Sequence, residues 1–511
     1  MDQVATRCRA ATNLQGTKNG ALLDDEKAQD SLAYQQAERR VVWKIDLLLM
    51  PILTTSFGIQ YWDKAILSSA SIFGIIKDLG LSTTSPEGVV STLRYSTANS
   101  AFYWGYIVAV LPFAILLQRF PIAKALSLII FFWGVTVILT VVVTDYKGLI
   151  VQRVFLGLLE SCVSPGFVVI TGMFYKKSEQ ATRLGIWYSA TGIFSMLSGL
   201  VNFGLGHAGG SLHPWKYMYL FAGAFTIVWA SVVFYFIPDS PQTSHRWFNE
   251  EERAILARRS RESMIGAIGP TKFKWNHARE AVTDIKLYIF FLQGAAIYVC
   301  NGGVTAFGAR IVSSFGYSSL TTIVILIPGG AFTCVSIYLF SWLSDKYKNI
   351  TTYLIPISCI PVLVGSLVIW LASWQHRGVP LFGYYLLPTF GAPYVLVLAS
   401  SAVNVAGSTK KAIAAGAIFV GYNVGNIVAP YLVLTPEKPI HYRTTWISII
   451  ICMGITSVLS LILRLVLIRE NRRRDALQGS GESNEAINVI EQRQEELDLT
   501  DGENKSFRYS L

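Results

Sequence analysis

The stretch Leu149-Ile150-Val151-Gln152-Arg153-Val154-Phe155-Leu156-Gly157-Leu158-Leu159-Glu160-Ser161-Cys162-Val163-Ser164-Pro165-Gly166-Phe167-Val168-Val169-Ile170-Thr171-Gly172 decides what kind of fold this chain adopts. It is apolar or small almost throughout, and it exceeds the roughly 20 helical residues that cross a bilayer. Arg153 and Glu160 interrupt it. A charge in the hydrocarbon core costs at least about 2.5–3.5 kcal/mol, so such residues usually face a protein interior or a water-filled path. The same interruption recurs in the first apolar run, where Asp63 and Lys64 stand side by side. These four charges suggest a chain that moves protons and a charged solute across a membrane.

Composition agrees with a polytopic membrane protein. The chain is 52% hydrophobic and only 15% charged, with a mean hydropathy of +0.44; soluble domains carry roughly 25% charged residues. Twelve runs are long enough to span: 45–66, 96–117, 123–143, 149–172, 184–206, 217–237, 286–308, 320–343, 351–373, 381–403, 412–434 and 446–467. The predicted fold is therefore all-α, twelve transmembrane helices. The polar stretch 239–284, with Asn249-Glu250-Glu251-Glu252-Arg253 and Arg258-Arg259-Ser260-Arg261, separates six runs from six and reads as a surface helix on a linker. Two six-helix bundles related by a pseudo-two-fold along the membrane normal have this layout. The expected organisation is a disordered tail over 1–40, a bundle over 41–238, the central loop over 239–284, a second bundle over 285–468, and a polar tail over 469–511 expected to be disordered.

The net charge of +11 does not indicate nucleic-acid binding, because the Lys and Arg sit in the tails and between apolar runs, where lipid-flanking charge sits. With the N-terminus inside, about 30 Lys and Arg fall on one side and about seven on the other, which predicts cytosolic termini. The first 40 residues have no apolar core of a cleavable signal, so the first span is the expected targeting signal. No C-x-x-C pair, no metal-spaced ligand cluster and no G-x-x-x-x-G-K-[ST] occurs, so neither a metal, a cofactor nor direct ATP drive is expected.

Arg153 and Glu160 are seven apart, two turns and roughly 10 Å of rise on one helix face. Gly157 lies between them and would admit a neighbouring backbone. They are either a structural ion pair or a titratable switch whose balance changes as helices move. Asp63 and Lys64 point about 100° apart. One reading turns Lys64 to a cavity as an anion receptor and Asp63 to the fourth helix; the other lets both snorkel to the rim. Weaker candidates are Trp104 and Tyr106 in the second run, which either offer a ring and a hydroxyl to a solute or face lipid, and Asn301 before Gly302-Gly303 in the seventh, where a helix could either unwind or simply kink at glycine. Asn423 and Asn426 in the eleventh are either ligands or interhelical glue.

Together these segments resemble a known family. Twelve spans split six and six, with Arg153-Val154-Phe155-Leu156-Gly157 and Ser344-Asp345-Lys346, resemble the major facilitator superfamily. Tyr61-Trp62-Asp63-Lys64, Leu117-Gln118-Arg119, the segment Glu160 to Phe167, Pro238-Asp239-Ser240-Pro241 and Asn301-Gly302-Gly303 resemble the fungal allantoate permease branch of the anion:cation symporters. The resemblance implies that Asp63 and Glu160 carry protons, that Lys64 meets the anion, and that Tyr106 of the Trp104-x-Tyr106…Pro112 pattern supplies the solute site. Lys64 stands where the family often has Arg, which removes the planar bidentate grip on a carboxylate.

The expected function is proton-coupled symport of a small organic anion by alternating access, with Lys64, Arg153, Tyr106, Asn301 and Asn423 at the solute. The expected solutes are carboxylates such as allantoate, ureido acids or nicotinate. The expected setting is a monomer in the plasma membrane. An exporter of a secondary metabolite in the same fold is the alternative; a non-transporting nutrient receptor or a membrane enzyme fits less well, with short tails and no catalytic constellation.

Overall fold

The computed structural model describes residues 2–117, 120–240, 244–265, 274–347, 349–478 and 498–511. Each of the twelve runs is helical. We number these helices α1 (Asp2–Ile72), α2 (Leu93–Leu117), α3 (Ile122–Leu139), α4 (Tyr146–Phe174), α5 (Lys177–Tyr188 and Ala190–Gly206) and α6 (Pro214–Phe236). After the linker come α7 (Ile285–Ala306), α8 (Ser319–Lys346), α9 (Thr351–Leu371), α10 (Gly378–Asn404), α11 (Ser408–Leu432) and α12 (Arg443–Gln478). Ten of them are long and apolar enough to cross a membrane by length and composition; the other two predicted runs fall on α2 and on α5, which breaks at Ser189. Large apolar side chains such as Val108, Val228, Val335 and Leu465 are exposed, as suits a lipid-facing surface.

Alternation of twelve helices brings the linker and the chain's end to one face, called here the linker face; the other is the far face. The far face carries a two-stranded antiparallel pair, Thr83–Thr84 with Val90–Ser91. Helices approach where side chains are absent. A Cβ on Gly157 of α4 would sit 1.8 Å from the Phe102 carbonyl oxygen of α2, and one on Gly105 of α2 would sit 2.0 Å from the Val154 carbonyl oxygen. This reciprocal contact locks α2 to α4, as the glycine between Arg153 and Glu160 predicts.

The linker contains a helix, Glu250–Ile265, pinned to the first bundle. Arg259 bridges Glu38 of α1 and Glu179 of α5, and Lys44 pairs with Glu252 at 2.8 Å. Asp239 receives the Ala123 N–H at 3.1 Å and so caps α3. Gln118, Arg119 and Pro241, which belong to quoted motifs, lie outside the described residues.

Two tails differ from expectation. The backbone is helical from Asp2, continuous with α1. At the other end, the segment 469–511 was expected to be disordered, yet α12 runs to Gln478 and residues 498–511 pack on the linker face of the second bundle; residues 479–497 lie outside the described residues. The physical reason is charge. Asp501 is buried against Lys286 of α7 and Lys410 of α11, the latter at 2.8 Å. Tyr509 donates its hydroxyl to Asp501 at 2.8 Å, and Arg474 of α12 donates to the Tyr509 hydroxyl at 3.0 Å. Polar residues that look solvated in sequence are satisfied by one another here.

Candidate functional site

Four consecutive residues of α1 leave it in four directions, as steps of about 100° require. Tyr61 lines a central cavity. Trp62 donates to Asn202 of α5 at 3.4 Å. Asp63 accepts from the indole N–H of Trp133 on α3 at 2.6 Å. Lys64 enters the cavity wall and pairs with Glu160 of α4, Nζ to Oε2 at 3.5 Å.

Among the described residues, Lys64–Glu160 is the only ion pair between α1 and α4. Glu160 is fully buried and Lys64 is 15% exposed. Neither Glu160 carboxylate oxygen has a hydrogen-bond partner, so Lys64 is what compensates its charge. Gln60 steadies this turn by donating to the Glu160 backbone carbonyl at 3.1 Å. The Lys64 ammonium also lies 4.9 Å from the Phe102 ring centroid and 5.7 Å from that of Tyr106, both on α2, within cation–π range.

The cavity lies between the bundles and is lined by residues from both, including Gln60, Lys64, Tyr106 and Ser164 from the first and Tyr298, Asn301, Thr305, Tyr394 and Tyr422 from the second. It encloses about 100 Å³. A smaller void of about 20 Å³ adjoins it, sharing Lys64, Tyr103, Asn301 and Thr305 and adding Arg153, Asn99 and Asn426. Helix α7 is not regular here: Gly302–Ala306 forms a π-turn directly after Asn301. Asn301 holds it across to α11 by donating to Asn426 Oδ1 at 2.7 Å, and accepts from the Thr305 hydroxyl at 2.5 Å.

The bundles meet differently at the two ends of the cavity. Toward the far face, hydroxyls on α2 donate to backbone carbonyls of the second bundle: Tyr95 to Ala306 at 2.5 Å, Ser96 to Pro430 at 2.7 Å and Ser100 to Ile427 at 2.8 Å. Toward the linker face the closure is aromatic. The Tyr188 and Tyr298 hydroxyls are 2.9 Å apart, and the Tyr188 ring packs against Phe57 and Tyr394 with centroids at 5.5 and 6.3 Å.

Lys64, Glu160, Tyr106 and Asn301 are thus brought together, and three other candidates are not. Asp63 is buried and points away from the cavity to α3, not to the fourth helix; one of its oxygens has no partner. Arg153 donates to the Tyr219 hydroxyl of α6 at 2.7 Å and borders only the smaller void. Two turns of separation keep it from Glu160, which takes Lys64 as its partner instead. Asn423 donates to the Phe419 carbonyl of its own helix at 2.8 Å; Asn426, about 60° round the helix, faces the smaller void in its place. Trp104 faces outward at 37% exposure, as does Pro112. Sequence reading missed Trp133, Tyr219 and the tyrosines of α5, α7, α10 and α11; a tyrosine inside an apolar run was the available signal.

The sequence matches the profile described as Major Facilitator Superfamily over residues 53–430. The chain belongs to the Major Facilitator Superfamily. An uncharacterized transporter of Schizosaccharomyces pombe is 32% identical over 489 residues, 96% of this chain and 88% of that one. The allantoate permease of Saccharomyces cerevisiae is 30% identical over 500 residues, 95% of this chain and 89% of the permease. This superfamily member therefore falls in the fungal allantoate permease branch, as its motifs suggested. Among solved structures, the proton:xylose symporter XylE bound to 6-bromo-6-deoxy-D-glucose superposes with a TM-score of 0.60 over 83% of this chain and 96% of that one, at 14% identity. That likeness speaks to the fold: all-α, polytopic, with a central cavity between bundles. The protein is a multi-pass membrane transporter.

Proposed function

We propose that this transporter carries a small organic anion together with protons by alternating access. The observation that carries the reading is the Lys64–Glu160 pair at 3.5 Å, in which Lys64 stands on the wall of the central cavity and Glu160 lies fully buried behind it. An empty carrier with Glu160 ionised has a neutral pair and little attraction for an anion. Protonation of Glu160 leaves the Lys64 ammonium uncompensated beside the cavity, and a solute carboxylate restores the balance. Proton and anion then enter as a unit, because either alone leaves a charge unpaired at membrane depth. Tyr106 and Asn301 orient the solute, and the π-turn of α7 lets the second bundle close on it. Asp63, bonded to Trp133, is a second proton site that acts through α1 without touching solute.

Release needs the tyrosine closure to part toward the linker face while the α2 hydroxyls hold the far face. The basic excess makes the linker face cytosolic, so this is the inward exit, and both termini are cytosolic. The plasma membrane is the proposed location and a monomer the proposed unit. The test is accumulation of a panel of labelled carboxylates in cells expressing the protein, with and without a protonophore. Uphill accumulation abolished by the protonophore supports the reading; accumulation that survives it contradicts the coupling.

A further inference from the structure

We infer that the solute is a flat ring bearing one carboxylate, of about ten non-hydrogen atoms or fewer; this rests on the anion-transport reading above and narrows it. Three observations converge. The first is size. The central cavity encloses about 100 Å³, and one water needs roughly 10–15 Å³ of such space, so the cavity has room for about seven to ten atoms of water's size. The second is charge. Among the described residues, Lys64 is the one cationic side chain on the central cavity's lining, and no acidic side chain lines it. Among the described residues, the adjoining void beside Arg153 extends toward a further cation, and at about 20 Å³ it holds about one water. A second carboxylate therefore has neither a partner nor a place.

The third is the wall itself. Opposite the Lys64 helix, Tyr298 stands edge-on to Tyr394 with centroids 4.7 Å apart and interplanar angle 84°, and to Tyr422 at 4.2 Å and 66°. Tyr188 continues the group through its hydroxyl contact with Tyr298. Aromatic rings so arranged present both faces and edges, and a planar ring gains from either, whereas a puckered saturated ring of the same size gains only burial. Each ring contact of this kind is worth about 2- to 10-fold in affinity. The Tyr394 hydroxyl is buried with no partner. A buried hydroxyl left unpaired is costly, so a ring carrying its own hydrogen-bonding atom fits best.

Binding to the purified transporter, read by thermal shift at pH 5.5, tests this with probes matched in size. The size-matched probes are 4-hydroxybenzoate, its saturated counterpart 4-hydroxycyclohexanecarboxylate and benzoate; the dianion terephthalate, about two atoms larger, is read against its monomethyl ester, which is larger still and carries one charge. The expected result is half-maximal stabilisation by 4-hydroxybenzoate at a concentration at least tenfold below that of the saturated acid, and none by terephthalate even at concentrations where its monomethyl ester stabilises. Tyr394→Phe keeps the ring and removes the hydroxyl, so it should erase the advantage of 4-hydroxybenzoate over benzoate. A saturated acid that binds within tenfold, or a terephthalate that binds as well, overturns the flat-monoanion inference and leaves anion transport standing. If no carboxylate in this set or in an acyclic panel stabilises the protein, or if Lys64→Ala binds them unchanged, the anion reading falls with it.

Discussion

At the scale of the residue, the Lys64 ammonium pairs with the buried Glu160 carboxylate and borders the central cavity, where we propose that it also receives the solute anion. Lys64→Ala should reduce solute binding at least tenfold while the protein still reaches the membrane, measured by equilibrium binding on membranes with expression checked by blotting. Because that change leaves Glu160 buried without its cation, worth about 3–5 kcal/mol when one partner of such a pair is lost, the double variant Lys64→Ala/Glu160→Gln should recover stability and not binding. Lys64→Arg should keep some transport with altered selectivity, since a planar guanidinium grips carboxylates differently from a point charge. Glu160→Gln should lose uphill accumulation in vesicles under a pH gradient and retain exchange of internal for external solute; normal accumulation by this variant would leave Glu160 a structural residue. The sequence exposed these charges because charge inside an apolar run is unmistakable. It could not say which pairs with which: Arg153 and Glu160 share a helix and a face, yet 10 Å of rise leaves Glu160 to the nearer Lys64, and only the packing of α1 on α4 decides that.

At the scale of the element, the spans were legible because a 20-residue apolar run has few alternatives in lipid. Irregularities were legible in part. Asn301-Gly302-Gly303 marked a place where α7 could unwind or kink, and a π-turn stands there. The docked segment 498–511 was not legible, because its polar composition reads as solvated and its partners Lys286, Lys410 and Arg474 lie far away in sequence. Burial pushes the Asp501 carboxyl up, but Lys286 and Lys410 more than offset it and hold it at about 2, below the usual 3.8. A carboxylate held down in this way stabilises docking above its ordinary range and loses that contribution as pH falls through about 2. Docking should therefore be unchanged between pH 5 and 8, seen as equal hydrogen-exchange protection of 498–511. Asp501→Asn should release the segment and lower stability by about 2 kcal/mol, the worth of that shift, with faster proteolysis at Lys505 and Arg508, and should leave solute preference unaltered because the segment does not line the cavity.

At the scale of the whole molecule, two bundles enclose a cavity sealed by hydroxyl-to-carbonyl bonds at one end and by tyrosine rings at the other. The two-bundle plan was readable from six runs, a charged linker and six runs. The seal was not, since α2 hydroxyls and the carbonyls of α7 and α11 become neighbours only when the halves close. Basic asymmetry predicts that protease-sensitive tags at residues 1 and 511 are protected in intact cells; cleavage of either reverses the orientation and with it the assignment of the tyrosine closure to the inward exit. The central claim, that anion and proton enter together because both answer to Lys64, is tested most directly by counting protons. Isothermal titration of the purified transporter with the carboxylate found by the accumulation panel, repeated in two buffers of different ionisation enthalpy, gives the protons taken up per anion bound. At a pH where Glu160 is ionised in the empty carrier, the wild type should take up about one proton per anion and Glu160→Gln none while still binding. Anion binding by the wild type without proton uptake, or undiminished uptake by Glu160→Gln, would contradict it.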